Sequence, residues 1–219
     1  KYVRLNVERY GGMIMSTWLD RPLSIAGRVM VKDETGIRSV LVNLDRDSVL
    51  IPNMPIHFNR DINSGYNFNA QTDMLPLFGD DASKGMLAQQ VAAACGAEPE
   101  QILASDLFLY NRMPGSVWGA ENEYFSCGRI DDLECAYTAL RAFLEAEPQQ
   151  NMQVYAVFDN EEVGSSTKQG ADSTLLGDVF HRAAEALGAT DAQTRAAMAA
   201  SFMVSADNAH AVHPNHPET

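Results

Sequence analysis

Three carboxylates stand within four positions, Asp159, Glu161 and Glu162, directly after an apolar run from Val154 to Phe158. Gly164, Ser165, Ser166 and Thr167 follow. Adjacent side chains leave the backbone in different directions, so two neighbouring glutamates can take two jobs. One can ligate a metal while the other faces a metal-bound water. The metal lowers the pKa of that water and the free carboxylate takes its proton. The bland alternative for such a pair is a solvated acidic loop.

Two further clusters offer the same chemistry. Asp131 and Asp132 enter a helix-patterned segment, where acidic residues also serve as caps or dipole partners. Asp207 begins a stretch that continues with His210, His213 and His216, in SADNAHAVHPNHPET. Carboxylate and imidazole are both good divalent-metal ligands. A loose metal-collecting tail is the competing reading there, and Pro214 and Pro217 argue against one regular helix carrying all the histidines. His57, alone in PIHFNR, reads from its surroundings as structural.

The elements that must position these residues follow from periodicity. Val154–Phe158 and Ser201–Ser205 are short apolar runs suited to buried parallel strands, and Tyr124–Cys127 is a third strand candidate. Each is followed by one acidic cluster, so parallel strands bring Asp131, Glu161–Glu162 and Asp207 to one sheet edge, where open α/β sheets bind ligands. Such a cage suits two divalent ions, and the chemistry alone leaves peptide and phosphate-ester hydrolysis open. Helices are expected over Asp81–Cys95 with Gly96 as terminator, over Ile130–Leu144 with Pro148 as stop, over Leu175–Leu187, and over Asp191–Ala200.

Residues 1–60 read as β-rich, with alternation at Val3, Leu5 and Val7. Met13–Trp18 is expected to be extended, and further strands are expected at Ala26–Val31, Val40–Leu44 and Val49–Ile51. Lys32–Gly36 looks like a hairpin turn, and Ile62–Gly79 like a long polar loop. Asp20–Arg21 suggests a surface ion pair or an interface support. Ser105–Tyr110 is a strand, and the pattern changes near Ala104 from mainly β to alternating strands and helices. The expected division is therefore 1–104 and 105–219.

The 219 residues carry a formal net charge of −13, which disfavours nucleic acid as a partner. No apolar run of membrane-spanning length and no signal-peptide core is present. The three cysteines, Cys95, Cys127 and Cys135, form no CxxC motif, and such a scattered odd set suggests reduced thiols in a cytoplasmic protein.

Several motifs carry a resemblance in one order along the chain: ERYGGMIMSTWLDRPLSIAGRV at Glu8–Val29, IPNMPIHFNRDIN at Ile51–Asn63, GRIDDL at Gly128–Leu133, DNEEVGS at Asp159–Ser165, and SADNAHAVHPN at Ser205–Asn215. Together they resemble the aspartyl aminopeptidase family of zinc metallopeptidases. The resemblance implies an α/β fold, a partial mixed sheet flanked by helices, with a β-rich dimerisation domain at 1–104. It implies a homo-oligomer in which dimers build a larger, dodecameric particle, acting on peptide substrates. It also implies removal of N-terminal, acidic residues through two zinc ions, with manganese or cobalt as substitutes.

By the same resemblance, Asp131 bridges the two ions, Glu162 and Asp207 each ligate one, and Glu161 is the general base. His57 is similar to a histidine sent towards a partner subunit's site, which replaces the structural reading. His210 and His213 resemble a pair making substrate or outer contacts. Two family zinc-binding histidines, one in an HTDSP-like motif, lie beyond the matched stretch, so the chain resembles the middle of a longer enzyme. Pro22, Asp132 and His216 stand where the family commonly has an acidic residue, an asparagine and an aromatic. Two alternatives remain, a catalytically incomplete assembly and metal-binding fragment, and a two-metal phosphohydrolase.

Overall fold

The computed structural model describes residues 1–147 and 150–218. The chain divides into two compact units, Lys1–Pro114 and Gly115–Thr219.

The first unit is built on one strand. After β1 (Tyr2–Arg4) and a 3-10 turn at Met15–Trp18, the chain enters β2 (Pro22–Asp33). On β2 the residues Leu23, Ile25, Val29 and Val31 are buried, at 3% exposure or less. Their spacing of two or a multiple of two puts them on one face. Asp33 accepts hydrogen bonds from the backbone N–H and hydroxyl of Thr35, and turns the chain through Glu34–Thr35 into β3 (Gly36–Asn43). Ala26–Asp33 pairs antiparallel with β3. The start of β2 pairs with β4 (Val49–Leu50). β5 (Leu77–Asp80) bridges β4 and β1.

Helix α1 (Met86–Cys95) contributes Val91 to the cluster of Val29, Val31 and Val42. Gly96, in the left-handed region at φ 66°, closes that helix as its sequence position predicts. A second cluster joins Leu23, Ile25, Val49, Ile51 and Met74.

β6 (Ile102–Tyr110) then returns along β2, from Tyr110 opposite Ser24 to Ile102 opposite Val31. It approaches so closely that a Cβ on Gly27 would collide with the carbonyl oxygen of Asp106. This pairing moves the boundary. The strand that opens the second half of the sequence pattern belongs to the first sheet, and the units part after Pro114 rather than near Ala104. Arg112 fixes this exit by bonding Asp45 at 3.2 Å and Asp47 at 3.0 Å.

Two local expectations are corrected here. Met15–Trp18 is a 3-10 turn, in which the Thr17 hydroxyl donates to Ile14 O at 2.8 Å, a bond that extended backbone would not make. Part of the expected Ile62–Gly79 loop is strand β5, because Leu77 finds partners in both Arg4 and Leu50.

The second unit opens with a hairpin, β7 (Ser116–Trp118) and β8 (Tyr124–Ser126). Helix α2 (Ile130–Glu145), helix α3 (Leu175–Ala186) and helix α4 (Asp191–Ala200) follow. Thr190 and Gln193 form a reciprocal capping box at the start of α4. Pro148, expected as the stop of α2, lies outside the described residues. No helix among the described residues is long and apolar enough to cross a membrane.

The expected parallel strands are not formed. Val154–Phe158 and Ser201–Ser205 carry no ladder, and the named strand pairs are antiparallel among the described residues. Phe202, Met203 and Val204 are at least 76% exposed. A strand exists only with a hydrogen-bonded neighbour, and among the described residues no strand pairs with these runs.

Truncating Leu23 to Ala should cost about 2–5 kcal/mol in urea unfolding, as for a fully buried leucine. Leu41→Ala, at a side chain 81% exposed, should stay within about 0.5 kcal/mol.

Candidate metal centre

Helix α2 is entered irregularly. Arg129 is left-handed at φ 67°, Asp131 and Asp132 have non-helical backbone angles, and the Asp131–Asp132 peptide is cis. Regular helix runs from Leu133. Asp131, Asp132 and Asp207 each place a carboxylate oxygen within 4.8 Å of the others. Two of the three expected acidic clusters thus meet, although Asp207 is remote from α2 in sequence and does not follow a strand.

Glu161 and Glu162 are not among these three. They lie on a 3-10 turn, Glu161–Val163, whose shape is fixed locally. Asn160 and Ser165 are left-handed, at φ 63° and 61°. Ser165 N–H donates to Asn160 O at 3.1 Å, Gly164 N–H to Glu161 O at 2.8 Å, and Asp159 N–H to Gln169 O at 3.3 Å. The Thr167 hydroxyl donates to Asn160 Oδ1 at 2.9 Å. Gly170 is required where it stands, because a Cβ there would strike Ser165 O. The glycines and hydroxyls after the glutamates therefore close the loop that presents them. The run before it is tied to α2, since the Tyr155 hydroxyl donates to Ala136 O at 2.6 Å.

Cys135 sits one turn into α2. Burial pushes its thiol above the ordinary range, and so do a hydrogen bond to Asp132 and the negative charges of Asp132, Glu134 and Asp207. The three donors that meet are carboxylate oxygens, a set that fits a hard or borderline divalent ion. Asn208 Oδ1, next in sequence to Asp207, is buried with no hydrogen-bond partner, an acceptor left over beside the cage.

The histidines are elsewhere. His213 and His216 flank a turn, their rings 5.1 Å apart. His213 Nδ1 accepts from Asn215 N–H, and His216 lies 3.4 Å from Glu218. His210 is exposed. In the first unit, exposed His57 lies on a turn closed by Phe58 N–H donating to Pro55 O at 2.9 Å. Asp20 anchors the approach to that turn. It accepts from Asn53 N–H at 2.8 Å, and its own N–H donates to Ile51 O. Exposed Asp20 is thus a local backbone brace, and no ion pair between it and Arg21 is formed among the described residues.

Sequence reading gave Asp132 no ligand role, although its place beside Asp131 was a signal. Glu134 and Asn208 carry no mark of spacing, and Cys135 is legible only as one of three scattered thiols.

The motif order now has an independent counterpart. A family model described as "Aminopeptidase I zinc metalloprotease (M18)" matches residues 1–219. The chain belongs to the M18 peptidase family. A probable M18 family aminopeptidase 2 of Clostridium acetobutylicum is 45% identical, over 99% of this chain and 52% of that protein. Aspartyl aminopeptidase 1 of Schizosaccharomyces pombe is 36% identical, over 98% of this chain and 51% of that protein. The solved mApe1 dodecamer of Saccharomyces cerevisiae superimposes with a TM-score of 0.77 at 28% identity, over 99% of this chain and 51% of that one. The chain spans about half the length of the curated relatives it matches.

Asp207→Asn should weaken zinc or manganese binding by at least the roughly tenfold that losing an outer partner of a metal ligand costs, measured by titration calorimetry. In the metal-free chain, iodoacetamide should modify exposed Cys127 before partly buried Cys135, read by peptide mass spectrometry.

Proposed function

We propose that this chain carries the carboxylate part of a zinc aminopeptidase centre that removes N-terminal, acidic residues from peptides. The observation that carries the reading is the meeting of Asp131, Asp132 and Asp207 from segments remote in sequence, in a chain of a zinc metalloprotease family. The acidic preference is supported by the naming of a relative as an aspartyl aminopeptidase.

Asp131, Glu162 and Asp207 would hold two zinc ions, with Asp131 shared and Asp132 beside it. Zinc supplies a Lewis acid that polarises the scissile carbonyl and lowers the pKa of water. Glu161 takes one proton from the water that attacks the carbonyl carbon. It delivers that proton to the departing amine nitrogen as the C–N bond breaks. The closed Asp159–Gly170 loop holds Glu161 rigid for both transfers. His210 and His213 contact substrate or support the ligands. The β-rich unit dimerises and presents His57 to the partner's site, in a larger assembly like that named for the yeast relative.

The second reading is an assembly and metal-binding fragment without turnover. That neither Glu161 nor Glu162 joins the close group of three aspartates favours it.

The deciding experiment is hydrolysis of aspartyl and glutamyl chromogenic amides, with added zinc or manganese and a chelator control. It is run on this chain and on a chimaera bearing the flanking segments of the Clostridium acetobutylicum relative. Chelator-sensitive turnover in the chimaera, lost in Glu161→Gln with metal still bound, is expected. Near-normal turnover in Glu161→Gln removes that residue from the role, and turnover by the chimaera alone favours the fragment reading for this chain.

A further inference from the structure

Three carboxylates gathered without a cation repel one another, so something must hold them together before an ion arrives. Asp131 and Asp132 are held by the start of α2. Asp207 has no such support, since residues 201–212 form no helix or strand. Ser201, Phe202, Met203, Val204 and Val212 are all exposed. Among the described residues, one side-chain hydrogen bond links this stretch to α2, from Asn208 Nδ2 to Glu134 Oε2 at 3.2 Å, across 74 positions of sequence. The backbone N–H of the same residue donates to Asp207 Oδ1 at 2.8 Å. Asn208 is half-buried.

We propose that Asn208 is a positioning residue: its side chain latches the Asp207 segment to Glu134 of α2, and its backbone N–H orients the Asp207 carboxylate towards Asp131 and Asp132. This rests on the metal-centre reading above. Glu134 takes the role of anchor, its charge used as a hydrogen-bond acceptor in place of ligation. Asparagine suits the position because it reaches a carboxylate as a neutral donor. An aspartate there would add a fourth negative charge to the cluster and repel Glu134.

The test uses Co2+ as the probe, because its visible absorption reports ligand geometry as well as affinity. Asn208→Leu keeps the size and removes the donor. Its Co2+ affinity should fall roughly 10- to 100-fold, as for other partners of metal ligands, with an altered spectrum and an unchanged melting temperature. Glu134→Leu removes the same bond from the other side and covers the case in which Asn208→Leu fails to fold. The two losses should not add, since one bond is removed twice. The pair Asn208→Asp with Glu134→Gln reverses donor and acceptor at constant charge, and should regain most of the affinity. Parent-like Co2+ binding in both leucine variants, or no recovery in the reversed pair, overturns the latch.

A readout without metal separates this idea from the metal reading. In the metal-free chain, the Asn208 side-chain amide resonances should shift on Glu134→Leu. If the unaltered chain takes up no Co2+, the metal reading falls, and the amide signals then decide the latch. Unshifted signals overturn it, and shifted signals sustain it as the tie between Asp207 and α2.

Discussion

The alternation along β2 is the constraint on which the first unit depends. Leu23, Ile25, Val29 and Val31 point one way, and every neighbour is arranged to cover that face or to pair with its backbone. β3, β4 and β6 all pair with β2, and α1 brings Val91 beneath it. A one-residue slip in register would turn this whole apolar set to solvent, so the register is strongly specified. Gly27 carries the same message from the backbone, since its missing Cβ is the space that the Asp106 carbonyl occupies. The sheet in turn steadies what leaves it. Ile51, buried in the core, accepts the Asp20 N–H, and Asp20 then holds Asn53 at the root of the His57 turn.

Local signals were legible where the physics is local. Four helices lie where apolar spacing predicts them, Gly96 ends α1, and Asp33 with Thr35 makes the first hairpin turn. Partnership was not legible. Val154–Phe158 and Ser201–Ser205 have strand composition, but composition does not name the neighbour, and neither run has a strand partner among the described residues. The same limit explains the misplaced boundary. Ser105–Tyr110 reads correctly as a strand, yet its allegiance is set by pairing with residues far upstream, which a change in pattern near Ala104 cannot reveal.

The site divides along the same line. Asp131 and Asp207 were legible as candidates because their type suits a cation, and the fold brings them together. Asp132 joins them through adjacency. Glu161 and Glu162 are shaped by a loop whose determinants, Asn160, Gly164, Ser165, Thr167 and Gly170, lie within a few positions of them. Their relation to the aspartates is a matter of tertiary placement, on which spacing is silent.

Metal chemistry and stability make opposite demands on such a cluster. A cage that binds a cation well must collect negative charge, and charge collected in advance drives its members apart. At the entry to α2 that cost is borne by the regular turns that begin at Leu133, to which Asp131 and Asp132 are directly joined. On the exposed, ladder-free stretch around Asp207 it cannot be borne that way, and Asn208 supplies two neutral donors instead, its side-chain amide to Glu134 and its backbone N–H to the Asp207 carboxylate. Cys135 bears the mark of the same crowding. Burial, then a hydrogen bond to Asp132 and the charges of the surrounding carboxylates, push its thiol above the ordinary range, so the negative potential that draws a cation also disfavours a second, thiolate charge beside the aspartates.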